Sequence, residues 1–241
     1  MTTLVRVPLP ALAGSPGLVQ GRYGESGNLE LAVPGAHGGV WIFWFNADAD
    51  TGVAVREGAP PRCWSGGLQV LAGVPVEAAR ISQLHAGPDH LELLALADGE
   101  LHRLYWAPAE GFVATGTIAH GVVAAGPVRE TPTSLTIDVR LADGRPVRLV
   151  TGTEHYPAAT WDVLPRTDGP EPAPPPGLPA DVPYDAVAWA RTTLDGGRVD
   201  AVLRRGSGLA HLYRGPGRWS APEPVVSQVW IADDAPVHRR S

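Results

Sequence analysis

The stretch HLELLALADGELHRLYW, residues 90–106, consists of two alternating apolar segments joined by an Asp-Gly pair. Apolar side chains at every second position indicate a β-strand with one buried face. An Asp-Gly pair between two such segments is the strongest short-range signal for a β-hairpin. Residues 90–106 therefore predict two antiparallel strands joined by a tight turn.

The same pattern occurs in three other parts of the chain. The hairpins are NLELAV with VWIFWF (28–33 and 40–45), SLTIDV with VRLVT (134–139 and 147–151), and RVDAVL with LAHLYR (198–203 and 209–214). An aromatic residue that can open an outer strand follows each hairpin: Trp64, Phe112, Trp161 and Trp219. An apolar stretch precedes each one, so each unit has four candidate strands.

A repeated four-stranded antiparallel unit of roughly 50 residues is typical of a propeller blade, because stacking around an axis buries both faces of each sheet. The sequence therefore predicts an all-β protein, a β-propeller with four visible four-stranded blades. A ring of five blades, one of them degenerate, is the alternative. Residues 4–14 and 225–234 compete for the role of a terminal strand that completes the last blade.

The composition agrees with many short strands. The 241 residues include 29 Gly and 25 Pro, which argues against a helical bundle. The net charge of −6 argues against a nucleic-acid-binding protein, which would carry a basic surface. A single cysteine excludes an internal disulfide. We interpret residues 1–241 as one propeller domain, with the Pro-rich segment 165–184 as a surface connection. Since neither a signal peptide nor an apolar span is recognisable, we expect a cytoplasmic protein with no membrane partner.

Residues 18–45, LVQGRYGESGNLELAVPGAHGGVWIFWF, together with WSGG at 64–67, resemble the repeat of bacterial, actinobacterial-type, lectin-like β-propellers. Residues 198–214 and WSAP at 219–222 match the same repeat next best. The likeness covers most of the chain but is specific over about half of it. The resemblance implies a propeller, and it implies carbohydrate binding in pockets between blades.

A sugar site needs aromatic faces for the apolar side of the ring and polar side chains for its hydroxyl groups. Aromatic, acidic and basic side chains recur on the hairpin strands of blades one, two and four. The candidate ligand-binding residues are Glu30, Trp41, Trp44, Trp106, Asp200, His211 and Arg214. The alternative interpretation is that these side chains pack the blades together, because each blade has the same packing problem to solve.

The leading functional hypothesis is a lectin-like propeller that binds a carbohydrate or another small polar, partly apolar ligand. The competing hypothesis is a cofactor-independent enzyme, a cyclase or hydrolase of a biosynthetic pathway, with Glu92 and His85 as acid and base at the axial mouth. A protein-interaction scaffold is a third hypothesis. Residues 46–57 place oxygen-bearing side chains at alternate positions, as calcium loops do, but the glycine falls at the seventh place instead of the sixth. We predict no metal site and no cofactor, and the sequence leaves the oligomeric state open.

Overall fold

The computed structural model describes residues 4–48, 62–84, 90–108, 110–158, 160–166, 177–226 and 228–232. The fold is nearly all β, with four four-stranded antiparallel blades in a ring, and the predicted propeller is confirmed. In every blade the strands are hydrogen-bonded in chain order. Each blade is therefore a simple meander in which each hairpin joins neighbouring strands.

The strands have the following bounds. Strand β1 (Leu4–Pro8) precedes the first blade. Blade 1 contains β2 (Gly17–Gln20), β3 (Leu29–Pro34), β4 (Val40–Phe45) and β5 (Trp64–Val70). Blade 2 contains β6 (Ala78–Gln83), β7 (Leu91–Ala97), β8 (Glu100–Ala107) and β9 (Gly111–His120). Blade 3 contains β10 (Val122–Glu130), β11 (Ser134–Leu141), β12 (Pro146–Gly152) and β13 (Asp162–Pro165). Blade 4 contains β14 (Ala186–Thr192), β15 (Arg198–Arg205), β16 (Gly208–Arg214) and β17 (Glu223–Pro224), and β18 (Gln228–Ala232) follows it.

The hairpin of blade 2 turns at Asp98 and Gly99, as its sequence predicts. Their φ angles are 49° and 73°. A two-residue hairpin turn with positive φ at both central positions matches the twist of the flanking strands, and Asp-Gly adopts it at low steric cost. Ala97 and Glu100 pair directly across this turn. The local sequence thus sets the register of the hairpin.

The two faces of blade 1 are buried against different neighbours. In β3, Leu29, Leu31 and Val33 pack in an apolar cluster with residues of blade 4, whereas Ala32 packs in a second cluster with blade 2. A third cluster fills the interface of blades 2 and 3. Side chains alternate between the faces of a strand, so consecutive residues serve different interfaces. Burial of these apolar faces is the main stabilising term.

The chain ends pair with each other and do not complete a blade. Strand β1 runs antiparallel to β18, with Leu4 opposite Ala232 and Pro8 opposite Gln228. The expectation that one terminal segment adds the outer strand of the last blade is therefore wrong. The outer strand of blade 4 is the short β17, in which Pro224 pairs with Ala210 but donates no hydrogen bond because proline lacks an N–H group.

The four strand-opening aromatic residues occupy similar but unequal places. Trp64 is the first residue of β5 and Phe112 is the second residue of β9. Trp161 lies immediately before β13, and Trp219 forms a single bridge to Arg214 ahead of β17. The repeat alignment is therefore correct in blades 1 and 2 and approximate in blades 3 and 4.

The Pro-rich connection lies only partly within the described residues. Residues 177–184 carry no strand, and 167–176 lie outside the described part. None of the helical segments in the described chain has the length and apolar character needed to cross a membrane.

Candidate functional site

A cleft of about 440 Å³ lies between blades 1 and 2. We call it the aromatic cleft. Its lining residues are Tyr23, Asn28, Glu30, Ile42, Trp44, Leu68, Gln83, Leu91, Trp106, Pro108 and Phe112. Two indoles, a phenyl ring and a phenol therefore surround one carboxylate.

Strand pairing brings the principal groups to this cleft. Glu30 of β3 pairs directly with Trp44 of β4, so both side chains project from the same face of blade 1. Trp106 of β8 pairs with Phe112 of β9 and approaches from blade 2. One side of the cleft is thus formed by a cross-strand pair of blade 1 and the other side by a cross-strand pair of blade 2. The strand pairing limits the movement of their aromatic rings.

Two buried amides hold the loops at the cleft. The Gln83 Oε1 atom accepts a hydrogen bond from the Arg22 backbone N–H at 2.9 Å, and its Nε2 donates to the His90 carbonyl at 2.7 Å. Asn28 Oδ1 accepts from the backbone N–H of Ala47 at 3.3 Å. These contacts join the loops of both blades, so the cleft is preorganised before a ligand arrives.

The structure brings together three of the predicted ligand-binding residues: Glu30, Trp44 and Trp106. It places Trp41 on the opposite face of β4, in the apolar cluster with Phe43 and Phe45, with 6% of its surface exposed. A ring buried to this extent has no face left for a sugar. The expectation that Trp41 contacts a ligand is therefore replaced by a packing role.

Asp200 and His211 lie buried between blades 4 and 1. Asp200 is 0% exposed and accepts hydrogen bonds from Arg198 Nε at 3.0 Å and from the Thr192 hydroxyl at 2.8 Å. His211 Nε2 lies 2.9 Å from Asp200 Oδ1, and its ring packs against Trp64. The predicted ligand role for both residues is corrected, since their polar atoms serve this interface.

The remaining predicted residue, Arg214, does not line the aromatic cleft either. Its guanidinium lies over the Trp219 ring, 5.4 Å from the centroid, within blade 4. This cation–π contact joins the third strand of the blade to the loop that follows it.

The hydrogen bonds of Asp200 with Thr192, Arg198 and His211 should make the free energy of unfolding depend on pH. Burial raises the pKa of Asp200, but the hydrogen bonds from His211, Arg198 and Thr192 together bring the pKa below its usual value of 3.8. We expect Asp200→Asn to lower the free energy of unfolding by about 2 kcal/mol at neutral pH. A carboxyl whose pKa is lowered on folding stabilises the protein above its unfolded pKa, and this contribution disappears as the pH falls through the folded pKa.

Urea unfolding of wild type and Asp200→Asn, measured from neutral pH down into the acidic region, tests the prediction. The difference between the two proteins should shrink below about pH 3.8. A difference that stays constant into this acidic range would show that the carboxylate charge contributes nothing.

Glu92 is buried between blades 2 and 3. Its side chain is 0% exposed, and it accepts hydrogen bonds from Arg103 Nε at 2.6 Å and from the Tyr156 hydroxyl at 2.9 Å. Burial raises the pKa of the Glu92 carboxyl, against the lowering effect of Arg103. Burial and the nearby carboxylate also raise the pKa of Tyr156, so the phenol stays protonated and donates.

The environment of Glu92 does not suit the general acid that the enzyme hypothesis requires. Both Glu92 oxygens accept hydrogen bonds from the protein itself, and a fully buried carboxyl has no route to a substrate. His85, the proposed base, lies outside the described residues.

The calcium-like pattern at 46–57 falls mostly on residues 49–57, which lie outside the described part. Asp48 accepts hydrogen bonds from the backbone N–H groups of Glu25 and Ser26, at 3.0 and 2.9 Å. Its carboxylate therefore anchors the turn after Tyr23. Within the described residues, no three His, Cys, Asp or Glu side chains gather in a way that could hold a metal ion.

Sequence patterns missed several groups at these interfaces. A second cavity, of about 280 Å³, lies between blades 4 and 1 and is lined by charged residues including Arg62, Asp195 and Arg198. Gln83 reaches the aromatic cleft from the end of β6, Tyr23 reaches it from the loop after β2, and Tyr156 reaches Glu92 from a loop. Strand periodicity carries no information about residues on loops. Phe112, by contrast, was recognisable by its position after the hairpin.

Comparison with known proteins gives structural neighbours only. No protein-family model matches the chain, and no curated protein is similar to it in sequence. Similar solved structures include the BP39L lectin from Burkholderia pseudomallei, at 14% identity and a TM-score of 0.48 over 88% of this chain and 56% of that one. AofleA from Arthrobotrys oligospora is 12% identical, with a TM-score of 0.44 over 90% and 58% of the two chains.

A third neighbour is the lectin of Aleuria aurantia, described as a six-bladed β-propeller with a novel mode of fucose recognition. It is 14% identical, with a TM-score of 0.40 over 90% of this chain and 62% of that one. The chain thus spans 56% to 62% of the length of these three proteins. Likeness at this level assigns neither a ligand nor a family, and the resemblance to the bacterial repeat remains a resemblance of residues.

Proposed function

We propose that this protein is a lectin-like binding protein that takes a carbohydrate in the aromatic cleft. The observation that carries the proposal is the convergence of Trp44 and Trp106, from two different blades, on a cleft that also contains the Glu30 carboxylate. An indole face stacks on the C–H face of a sugar, and a carboxylate accepts hydrogen bonds from ring hydroxyls. A volume of about 440 Å³ accommodates one or two sugar rings.

The two interfaces that contain the corresponding acids do not offer the same opportunity. The acids that correspond to Glu30 are Glu92 in blade 2 and Asp200 in blade 4, and side chains of the protein surround both of them. We therefore expect one carbohydrate site of this type in the described part of the chain. Single-site binding differs from multivalent lectins, in which several similar blades raise avidity.

Replacing Trp106 by alanine tests the proposal. A glycan array identifies a bound sugar, and titration monitored by tryptophan fluorescence measures its affinity. We expect Trp106→Ala to weaken binding roughly tenfold or more, because a stacked ring contributes about 1 kcal/mol beyond its buried area. Trp106→Phe keeps an aromatic face and should recover part of the affinity.

A matched control is Tyr184→Ala, which removes an exposed aromatic ring, 41% accessible, outside the cleft. This variant should bind like wild type. Sugar binding that survives in Trp106→Ala would place the site elsewhere. If no glycan binds the wild type, the carbohydrate proposal is wrong, and the scaffold hypothesis remains.

A further inference from the structure

We propose that blade 3 binds a sulfate or phosphate ester through Arg129 and Arg140. The site lies on the polar face of blade 3, by which we mean the side of its sheet that turns away from blade 2. Both arginines are exposed, and they belong to the adjacent strands β10 and β11. The aromatic cleft lies between two other blades, so this site does not depend on the proposed carbohydrate site.

The middle of the second strand distinguishes blade 3 from the other blades. At this position blades 4, 1 and 2 carry Val202, Ala32 and Leu94, which are 0% exposed and pack in the clusters shared with blades 1, 2 and 3 respectively. Blade 3 has Asp138 in the same place. Among the described residues, no apolar cluster joins blade 3 to blade 4. This face of blade 3 is therefore polar where the other three blades are apolar.

Three arginines share the polar face with Asp138. Asp138 and Arg140 are two residues apart on β11, so both side chains leave the same side of the sheet, opposite to the residues that pack on blade 2. Arg148 of β12 lies directly opposite Asp138, and Arg129 of β10 lies opposite Thr136. Residues paired in this way project from one face. Three neighbouring strands thus each contribute one arginine.

One carboxylate does not balance these three cations. Arg148 Nε donates to Asp138 Oδ1 at 2.7 Å and its Nη2 donates to Oδ2 at 3.1 Å, whereas Arg129 Nη1 lies 3.4 Å from Oδ2. The Arg148 hydrogen bonds hold the pKa of Asp138 below its usual value, so this carboxyl is ionised at neutral pH. The Arg140 side chain forms no ion pair within the described ranges. The group therefore has an excess of two positive charges, in a chain whose net charge is −6.

A small cavity lies beside this group. Its volume is about 30 Å³, and Arg129, Asp138 and Arg140 are among its lining residues. A cavity of this size holds a water molecule or one oxygen atom of an oxyanion, but not a sugar ring. Guanidinium groups donate paired hydrogen bonds to sulfate and phosphate oxygens. The geometry therefore suits the terminal ester group of a ligand whose remaining part lies outside the cavity.

Three sugars that differ only in one substituent test the inference. The probes are glucose 6-sulfate, glucose 6-phosphate and unmodified glucose, each titrated into the whole protein while the NMR signals of the arginine side-chain N–H groups are followed. We expect both esters to bind at least tenfold more tightly than glucose, because each gains charge-assisted hydrogen bonds. Tighter binding of one ester also supports the proposal and identifies the preferred group.

The double variant Arg129→Gln with Arg140→Gln should lower the affinity for both esters to that for glucose. Both side chains are exposed, and Arg148 remains to pair with Asp138, so the variant should fold like wild type. Circular dichroism checks this.

Arg218→Gln is the matched control, since it removes the same charge from an exposed loop of blade 4. It should keep the preference for the esters, and so should Trp106→Ala, which alters only the aromatic cleft. The inference is wrong if neither ester binds more tightly than glucose, if the preference survives in the double variant, or if Arg218→Gln abolishes it. None of these results would decide the carbohydrate proposal, which the Trp106→Ala glycan titration tests separately.

Discussion

Replacing Arg103 by alanine should lower the free energy of unfolding by about 3–5 kcal/mol, because it leaves the Glu92 carboxylate buried without its cation. Arg103 is 3% exposed and Glu92 is 0% exposed, and the two side chains meet at 2.6 Å. Arg103 also donates to the Pro157 carbonyl at 2.8 Å, so its loss removes a contact between blades 2 and 3. Urea unfolding followed by circular dichroism measures the loss.

The chain contains a matched control for this prediction. Arg145 and Asp143 meet at 2.7 Å, almost the same distance, but their side chains are 69% and 52% exposed. Exposed ion pairs contribute less than about 1 kcal/mol, so Arg145→Ala should have a small effect. Equal losses in the two variants would show that burial of the Glu92 pair has no consequence.

A double replacement separates the contribution of the ion pair from the cost of breaking it. Replacing both partners, as Glu92→Leu with Arg103→Met, leaves no unpaired charge in the interface. Such apolar replacements of a buried ion pair are often close to neutral. We therefore expect the double variant to recover much of the stability that Arg103→Ala loses.

Trp41→Ala should lower the free energy of unfolding by about 3–5 kcal/mol and leave ligand affinity unchanged. Trp41 is 6% exposed and packs with Leu31 and Phe43 in the cluster between blades 4 and 1. Its removal leaves a cavity that the surrounding strands cannot close. Thermal unfolding and fluorescence titration, measured on the same preparation, give both quantities.

Trp44→Ala should instead weaken ligand binding and have little effect on the free energy of unfolding. Trp44 lies three residues further along the same strand, on the face that lines the aromatic cleft, and it is half-buried. We expect a stability loss of about 1 kcal/mol and an affinity loss of roughly tenfold or more. If Trp41→Ala weakened ligand binding in a stably folded protein, the assignment of the two faces would be wrong.

The equivalent acids Glu30, Glu92 and Asp200 have different surroundings in their three blades. Glu92 and Asp200 bind arginines of their own blades and help to join neighbouring blades. Glu30 occupies the corresponding place in blade 1 and lines the aromatic cleft. Of the three acids, only Glu30 lines the cleft to which we assign the proposed carbohydrate site.

The sequence by itself determined the repeated hairpins, because strand alternation and Asp-Gly turns depend on residues that are close in the chain. It correctly predicted the hairpin strands of all four blades. Its list of ligand residues contained Glu30, Trp44 and Trp106, which line the aromatic cleft, together with four residues that do not. It did not separate Trp41 from Trp44. Alternation places them on opposite faces, but the sequence does not say which face meets which neighbour.

Only the tertiary structure decided which of these side chains are accessible. Tyr156, which lies 64 residues away from Glu92 in the chain, covers that carboxylate, and Trp44 and Trp106 line one cleft from two different blades. The pairing of β1 with β18 likewise joins the two ends of the chain. Contacts between residues so far apart leave no periodic trace in the sequence, because the choice between filling an interface and leaving a cleft depends on how whole blades pack.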